Sequence, residues 1–479
     1  MRRWYDIITV NIFYLGLSTL SQTNGLLFPI LVQKFIGETG KATTYGNLRL
    51  WTLMIALLVQ SAAGMLSDHS SLRWGKRRPF VFTGTVFDLV LITAIGLILG
   101  LQDGNVYWLF FTIAIVIQVA TNLAQGAQQG FIPDLVAVNQ RGMYSAVKSL
   151  FELPIALLLV SFTTARLIAT GNYWGALIVV MIVLSSSMLL TLLVREEPIT
   201  PPVTHLDWQP FLSLLSMTGV FTLVILGVGQ GVQLIGHLME RWQPSLSNAL
   251  IMGLVGITAM LATTGLGVWL CVHIGLGAEA QNNSSFTWWV INRLAYLIGA
   301  INLSTFALYY LQARLGYTAE KVAQPASILL LLVGVFILLS AVPGGWLADR
   351  FGHKRLVAWS GLLATAGIAI ALIQPNLALI YIGGIMIGLA TGVFYTANWA
   401  LGTDLAPIDQ AGRYLGISNL AGAGAGAVGA YIGGPIADTT TRMLPDQPGF
   451  GYIVLFSIYG AMILFSVLAV SRVKLSLAV

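Results

Sequence analysis

Hydrophobic positions fall into long, nearly uninterrupted runs that short polar segments separate. A run of about 20 apolar residues is long enough to cross about 30 Å of hydrocarbon. Backbone polar groups in a membrane must be paired internally, and the short alternating segments of a β-barrel are absent from the sequence, so the runs predict helices. The chain contains fourteen such runs and is therefore predicted to be an all-α membrane protein.

The fourteen predicted spans end at polar residues, prolines or glycines, as membrane helices commonly do. Their limits are Asp6–Gln33, Thr44–Ser67, Pro79–Leu101, Val106–Gly130, Met143–Ala169, Tyr173–Val194, Phe211–Gly236, Asn248–Gly275, Trp288–Gln312, Pro325–Ala348, Leu356–Ile373, Leu377–Leu401, Gly412–Ala437 and Gly451–Arg472. Composition agrees with this pattern, because the 479 residues are 57% apolar and only 9% charged. Such a composition excludes an ordinary soluble domain.

Loop cations orient the predicted spans. With the N-terminus in the cytoplasm, fifteen lysines and arginines lie on the inner side and eight on the outer side. The inner set includes Arg2, Arg3, Arg73 and Arg195. Cytoplasmic loops carry the cationic excess, so we predict that both termini are cytoplasmic, in a bacterial inner membrane. The same loops account for the net charge of +6, and no nucleic-acid partner is expected.

Two internal repeats divide the chain. A charged segment that follows the second span, from Gly64 to Pro79, recurs in shortened form as Gly345–Arg355. Two spans later, Asp134–Gln140 aligns without a gap to Asp404–Gln410. The repeats predict an N-terminal six-helix bundle at 1–194 and a C-terminal six-helix bundle at 288–479. Between them, 195–287 is predicted to be a cytoplasmic linker and an inserted two-helix hairpin.

These charged segments resemble a motif of the major facilitator superfamily, G-x-L-[AS]-D-R-x-G-R-R, which lies between its second and third helices. The second copy, GWLADRFGHKR, is similar throughout, whereas the first, GMLSDHSSLRWGKRRPF, carries four extra residues. Its Arg-Arg-Pro ending resembles the sucrose transporters and the glycoside–pentoside–hexuronide symporters. The resemblance implies a major facilitator fold with two helices more than the usual twelve. It also implies alternating-access transport of a sugar or glycoside.

The charges of the two segments have two interpretations. Asp68 and Asp349 end a helix, where each can face the positive N-terminus of the next helix and nearby cations. Such pairs would form a cytoplasmic gate, and its candidate residues are Asp68, Arg77, Arg78, Asp349, Arg350 and Arg355. In the alternative interpretation the arginines only keep the loops in the cytoplasm.

Two acids are expected well inside spans, namely Asp88 and Glu152, and acids in a membrane are functional candidates. The corresponding repeat positions hold Thr365 and Gly422, so the repeated scaffold does not require either acid. A buried carboxyl can bind and release a proton, which makes both acids proton-coupling candidates together with Lys148. Alternatively, Lys148 and Glu152 form a structural ion pair four residues apart on one helix.

Polar and aromatic side chains in several spans predict a hydrated cavity for a hydroxylated solute, because amides both donate and accept hydrogen bonds. The candidates are Asn24, Gln118, Asn122, Gln125, Gln129, Arg293, Asn302, Tyr309, Tyr395, Asn398 and Trp399. The amides alternatively bond neighbouring helices to each other. Arg293 either guides an anionic or hydroxyl-rich solute or extends to the membrane edge as an anchor.

The leading prediction is a secondary transporter that couples a sugar or glycoside to protons. The alternatives are an exporter of amphipathic drugs or lipids, and a non-transporting sensor or assembly factor on the same fold. The sequence contains no HExxH, CxxC or Ser/His/Asp set, so we expect neither an enzyme nor a metal or cofactor. The expected partners are a small-molecule solute together with a proton, and the lipid bilayer. The protein is expected to be a monomer.

Overall fold

The computed structural model describes residues 6–70, 72, 74–101, 105–137, 140–194, 196, 208–239, 241, 244–277, 284–405 and 411–474. Four cations used to orient the chain, Arg2, Arg3, Arg73 and Arg195, lie outside the described residues. The repeat segment that begins at Asp404 is likewise described only as far as 405.

All regular structure in the described residues is helical. The α-helices are α1 (Asp6–Asn11), α2 (Phe13–Ile36), α3 (Lys41–Asp68), α4 (Arg78–Ile98), α5 (Val106–Gln129), α6 (Phe131–Leu135), α7 (Arg141–Leu150), α8 (Ala156–Phe162), α9 (Thr164–Ala169), α10 (Tyr173–Leu192), α11 (Gln209–Met239), α12 (Leu246–Leu276), α13 (Ser284–Leu315), α14 (Ala323–Phe351), α15 (His353–Ile373), α16 (Leu377–Leu405), α17 (Ala411–Met443) and α18 (Phe450–Ser471). A π-helical turn, Phe151–Ile155, joins α7 to α8.

Fourteen helical stretches of the described chain are long and apolar enough to cross a membrane. They agree with the fourteen predicted spans, because α1 and α2, α5 and α6, and α7 to α9 each form one interrupted stretch. Pro154 lies in the π-helical turn of the third of these, where proline removes a backbone donor. The prediction of an integral, all-α membrane protein is confirmed for the described residues.

The chain forms two compact units. The first contains the residues up to Phe35, Ile55–Phe211 and Ala319–Leu331. The second contains Ile36–Met54, Leu212–Thr318 and the residues from Leu332 onward. Consequently the beginning of α3 belongs to the second unit, together with the C-terminal helices.

Small residues allow close helix packing in the first unit. A Cβ atom at Gly84 of α4 would lie 2.6 Å from the Ala120 carbonyl oxygen of α5. The opposite surface of α4 exposes large apolar side chains, including Phe87, Val90 and Leu97. The helix therefore buries its small and polar face and presents its apolar face outward.

Helix α17 lies at the centre of the second unit, and 89% of its span is buried. Its spaced glycines contact large side chains of neighbouring helices, as such spacing favours. A Cβ atom at Gly424 would lie 2.3 Å from Phe221 of α11, and one at Gly433 would lie 2.5 Å from Tyr459 of α18. Helix α12 also packs along α17. The inserted α11–α12 hairpin thus forms part of the second unit.

Candidate functional site

A buried guanidinium lies where α13 meets α16 in the second unit. Arg293 of α13 is only 8% exposed, and its Nη1 donates a hydrogen bond to the Asn398 side-chain oxygen at 2.9 Å. Its guanidinium carbon lies 5.5 Å from the ring centroid of Trp399 and 6.0 Å from that of Trp289. Such aromatic faces stabilise a cation. The site therefore holds a positive charge between two indole rings.

Further hydrogen bonds fix the partner of this guanidinium. Asn398 donates through Nδ2 to the side-chain oxygen of Asn292 at 2.8 Å, and Asn292 donates to the Ser466 carbonyl oxygen at 2.8 Å. The indole nitrogen of Trp289 donates to the Asn398 carbonyl oxygen at 2.9 Å. All these groups lie on α13 and α16, except the Ser466 carbonyl, which belongs to α18. The network holds Arg293 in one position.

Two accessible aromatic rings border the buried Arg293. Tyr395 and Trp399 are 38% and 40% exposed, and they lie four residues apart on one face of α16. Asn398, by contrast, is fully buried. The arrangement combines a buried cation and amide with exposed rings, which suits a small molecule that has both polar and apolar faces. The structure thus brings together Arg293, Tyr395, Asn398 and Trp399.

The other two candidates of the second unit lie elsewhere. Asn302 is fully buried, and its Nδ2 donates to the carbonyl oxygens of Ile298 at 2.9 Å and Ala425 at 3.0 Å. It therefore bonds α13 to α17, as the alternative interpretation of the buried amides expects. Tyr309 is also fully buried, and its ring lies 4.9 Å from the Lys41 ammonium of α3.

The polar residues along α5, in the first unit, become more exposed from Asn122 to Gln129. Asn122 is buried and donates to the carbonyl oxygen of Gln118 at 2.8 Å, Gln125 is half-buried, and Gln129 is exposed. Gln128, which was not a candidate, is fully buried and donates to the Val10 carbonyl oxygen at 2.7 Å. Asn24 of α2 is a further buried candidate, 8% exposed.

Asp88 is fully buried between α4 and α5. The Thr121 hydroxyl lies 2.9 Å and 3.1 Å from its two carboxyl oxygens, so one neutral donor serves both. Within the described part of the chain, no cationic group lies within 4.0 Å of this carboxyl. An ionised carboxylate is costly in such a place, whereas a protonated one can itself donate.

Glu152 lies in the π-helical turn and is more accessible than Asp88, with 41% of its side chain exposed. Its carboxylate is 3.7 Å from the ammonium of Lys148, which lies 4.7 Å from the centroid of the buried Tyr14 ring. The expected pair of Lys148 and Glu152 is therefore present. Water screens a pair with this exposure, so it contributes little to stability.

The first charged segment forms a network within the first unit. Arg77 is 4% exposed and bonds both Asp68 at the end of α3 and Asp134 of α6, the latter at 3.0 Å. Lys76 pairs with Asp134 as well, at 2.9 Å. Two of the candidate gate residues, Asp68 and Arg77, are thus joined directly, and the repeated Asp134 binds the same arginine. We call Asp68, Lys76, Arg77 and Asp134 the first hairpin network.

Glu196, which follows α10, contacts the same segment. Its carboxylate accepts a hydrogen bond from the Arg77 backbone N–H at 3.1 Å. Burial raises the pKa of Glu196, although this hydrogen bond and the nearby Arg78 guanidinium oppose the rise. A carboxyl with a raised pKa stabilises the folded state at low pH, and that contribution is lost as the pH rises through the raised value. Sequence reasoning missed Glu196 because it lies in the linker.

The second charged segment forms a similar network in the second unit. Its central residue is the imidazole of His353, whose ring nitrogens lie 2.8 Å from Asp404 and 3.5 Å from Asp349. Asp404 is the repeat equivalent of Asp134, so the two networks support the sequence repeat. The arginines of this segment do not join it: Arg350 stacks 5.5 Å from Trp346, and Arg355 is exposed.

We expect Asp68→Asn to weaken the first hairpin network, because asparagine removes the charge opposite Arg77. A hydrogen bond to a charged group contributes about 1.5–3 kcal/mol, and water reduces this for a half-exposed Asp68. If the network closes the hairpin end of α3, the buried Ala63 of that end will become accessible for more of the time. A cysteine at Ala63, in a Cys271→Ser background, should then react severalfold faster with a maleimide added from the hairpin side. Unchanged reactivity would leave the network with a role in topology alone.

An acid that the sequence prediction missed anchors the other end of α3. The apolar run of span 13 ends at Ala437, but α17 continues to Met443 and places Asp438 inside the helix, 6% exposed. Its carboxylate accepts hydrogen bonds from the Thr43 N–H and hydroxyl, both at 2.7 Å, and from the Ala42 N–H at 3.3 Å. The expectation that only Asp88 and Glu152 lie well inside spans is therefore wrong for Asp438.

Close packing reinforces this contact. A Cβ atom at Gly46 of α3 would lie 2.1 Å from the Ala430 carbonyl oxygen of α17. Lys41, 7% exposed, bonds Glu38 at 2.7 Å and contacts the Tyr309 ring. We call the α3 residues Lys41, Thr43 and Gly46, together with Tyr309 and Asp438, the Asp438 cluster. It fixes the N-terminal end of α3 to α13 and α17.

Comparison with known proteins identifies the fold. Residues 288–475 match the model of the Major Facilitator Superfamily. A segment of 90 residues, 19% of this chain, is 37% identical to the "Minor myo-inositol transporter IolF" of Bacillus subtilis and covers 20% of that protein. A segment of 146 residues is 28% identical to "Myo-inositol transporter 2" of Schizosaccharomyces pombe, covering 29% of this chain and 26% of that protein. The chain thus spans about a quarter or less of the curated relatives it matches.

Solved structures are similar over nearly the whole chain. The nucleoside transporter NupG, as its D323A mutant, is 12% identical with a TM-score of 0.67, covering 98% of this chain and 100% of that one. A D-xylose-proton symporter is 16% identical with a TM-score of 0.63, and the alignment covers 98% of both chains. These similarities show the fold, which is the major facilitator fold predicted above, with two additional central helices.

Proposed function

We propose that this protein is a secondary transporter that moves a sugar, glycoside or related polyol by alternating access. The observation that carries the proposal is the site around Arg293. There a fixed cation and the buried Asn398 lie beside two exposed aromatic rings, Tyr395 and Trp399. Amide and guanidinium donors suit hydroxyl groups, and aromatic faces suit the apolar faces of a sugar ring.

The named relatives support this substrate class. Two are called myo-inositol transporters, and one structural neighbour is a D-xylose-proton symporter. The Arg-Arg-Pro ending of the first charged segment favours the branch that contains sucrose transporters and glycoside–pentoside–hexuronide symporters. The proposed protein is a monomer in a bacterial inner membrane with both termini cytoplasmic, which places the hairpin networks on the cytoplasmic side.

The two ends of α3 supply the proposed gates. On the cytoplasmic side, Asp68 and Arg77 would hold the first network, while Asp349 belongs to the second. The charges of Arg78, Arg350 and Arg355 are proposed to keep these segments on the cytoplasmic side and to take no part in closing the gate. On the outer side, the Asp438 cluster would bond the first repeat to the second. The proposed division is a six-helix bundle at 1–194, a linker and inserted hairpin at 195–287 and a second bundle at 288–479.

Proton coupling is proposed to reside in the first unit. Asp88 is the stronger candidate, because its environment offers one hydroxyl and burying an ionised carboxylate without a cation is costly. Glu152 with Lys148 is the second candidate, since its accessible carboxylate can exchange protons with water. The remaining polar candidates, Asn24 and the α5 row from Gln118 to Gln129, are proposed to line the hydrated path in this unit.

A thermal-unfolding screen of the purified protein tests the substrate class. We expect sugars and polyols to raise the unfolding temperature, because a ligand that binds only the folded state stabilises it by mass action. At about 100 times Kd the stabilisation is about 2.7 kcal/mol, enough to be measured. Stabilisation by amphipathic compounds, with none by sugars or polyols, would instead support the export of such compounds and contradict the proposal.

A further inference from the structure

The guanidinium of Arg293 has no anionic partner in the described chain. Its hydrogen bond goes to the neutral amide of Asn398, and its Nε is buried without any hydrogen-bond partner. No carboxylate of the described residues lies within salt-bridge distance of it. A buried charge is ordinarily paired, and a side chain 8% exposed is far from the exposed head of an anchoring arginine.

We infer that Arg293 recognises the carboxylate of a monoanionic, polyhydroxylated solute. This inference rests on the proposed function and names the substrate class of the same site. Nη1 is bonded to Asn398 and Nε is buried without a hydrogen-bond partner, so the proposed carboxylate takes the Nε side of the guanidinium when the site opens. Two parallel N–H donors match the two oxygens of a carboxylate, and this geometry distinguishes arginine from a lysine point charge.

The surroundings select one negative charge rather than two. The described residues place a single cation at this site, with Trp289 and Trp399 on its faces and Tyr395 beside it. A dianionic phosphate would favour a second cation. The exposed rings of Tyr395 and Trp399 offer apolar faces to the body of the solute, as a hydroxylated ring requires. The ligand class is therefore a carboxylate attached to a hydroxylated ring.

The site is also organised before a ligand arrives. Asn398 is held by Asn292 and Trp289, so the guanidinium does not lose conformational freedom on binding. Purely structural pairing of Arg293 would require an anion of the chain at the free edge. A fixed guanidinium whose Nε lacks an acceptor is the arrangement of a binding group.

Calorimetric titration of the full chain in phosphatidylcholine nanodiscs tests the inference. The probes are quinate, which carries a carboxylate on a hydroxylated ring, its neutral methyl ester and myo-inositol. We expect quinate to bind about 10- to 100-fold tighter than the ester, which corresponds to about 1.4–2.8 kcal/mol. Equal affinities of the acid and its ester for the wild-type protein would overturn the inference without any variant.

Variants assign the effect to the guanidinium. Arg293→Gln should reduce quinate affinity to that of the ester, and Arg293→Lys should recover only part, because lysine keeps the charge and loses the fork. Arg166→Gln is the matched control, since Arg166 also stacks on an aromatic ring, 5.3 Å from Phe162, but is exposed at the end of α9. A preference for quinate that survives in Arg293→Gln would contradict the assignment.

Other anion sources have their own outcomes. Inorganic phosphate that displaces quinate at equal concentration would show a site for free oxyanions, and loss of quinate binding in phosphatidylglycerol nanodiscs would show a lipid headgroup site. Either result overturns the inference. Counterflow distinguishes failure of this inference from failure of the proposed function. Transport of neutral polyols without quinate binding would support the proposed function and contradict the anion site. Quinate binding without counterflow of any solute would support the anion site and contradict transport.

Discussion

Asp438→Asn should open the end of α3 that begins at Lys41. The Asp438 carboxylate accepts three hydrogen bonds at this helix N-terminus, and the positive end of the helix dipole adds to them. Asparagine has nearly the same size as aspartate, but it is neutral, and its amide NH2 group would face the N–H and hydroxyl donors of Ala42 and Thr43. Loss of a charge-assisted bond costs about 1.5–3 kcal/mol, which shifts the equilibrium between closed and open forms roughly 10- to 150-fold.

Cysteine labelling measures this opening. Thr52 of α3 is 3% exposed, and a cysteine placed there in a Cys271→Ser background should be protected until the cluster separates. In Asp438→Asn its reaction with an impermeant maleimide from the outer side should accelerate at least about tenfold, following the shift above. Gly46→Leu should act in the same direction, because its side chain cannot fit against the Ala430 carbonyl.

A matched control makes the same Asp→Asn substitution at a different position. Asp446 is exposed in the loop after α17, and Asp446→Asn should leave the labelling rate unchanged. Unchanged protection of the Thr52 cysteine in both Asp438→Asn and Gly46→Leu would contradict the outer gate. Monodisperse elution of each variant confirms that the rate reports on opening rather than on unfolding.

Asp88→Asn should abolish accumulation driven by a proton gradient while it leaves solute exchange intact. Each coupled proton allows up to about tenfold accumulation per unit of pH difference, since one pH unit is worth about 1.4 kcal/mol. Asparagine keeps a polar group for the Thr121 hydroxyl and cannot bind a proton in the transport range. The accumulation ratio should therefore fall to about one, because solute then only equilibrates.

Uptake into proteoliposomes with an acidic outer buffer measures this ratio. Thr85→Val is the control on the same helix, because Thr85 is also buried but its hydroxyl bonds the Val81 carbonyl of its own helix, at 2.7 Å. Glu152→Gln tests the second candidate in parallel. Full accumulation in both Asp88→Asn and Glu152→Gln would exclude proton coupling through either acid.

The fold was predictable because its signal is long-range and redundant. Fourteen apolar runs fix the number of spans, and two similar charged segments, each followed two spans later by an ungapped match, fix the repeat. The structure extends this, since Asp134 and Asp404 occupy equivalent places opposite Arg77 and His353. The sequence did not indicate that the imidazole of His353 would take the central place in the second network that an arginine takes in the first.

Single polar residues were less predictable, because hydropathy does not reveal which helix an amide or acid faces. Arg293 and Asn398 are distant in sequence and meet only through packing of α13 on α16. Asn302 is likewise a polar residue within an apolar run, yet its side chain bonds α17 rather than α16. Asp438 was missed because the glycine-rich helix continues past the last apolar residue, and only its contact with Thr43 reveals its role.

Solute counterflow in proteoliposomes tests the central claim, that this protein carries a polyhydroxylated solute across the membrane. Vesicles are loaded with an unlabelled sugar, polyol or hydroxylated acid chosen from the unfolding screen, and a trace of the labelled solute is added outside. A carrier with alternating access should concentrate the label transiently inside, and empty vesicles should not. Absence of counterflow for every solute that binds the folded protein would contradict transport and favour a sensor or assembly factor on this fold.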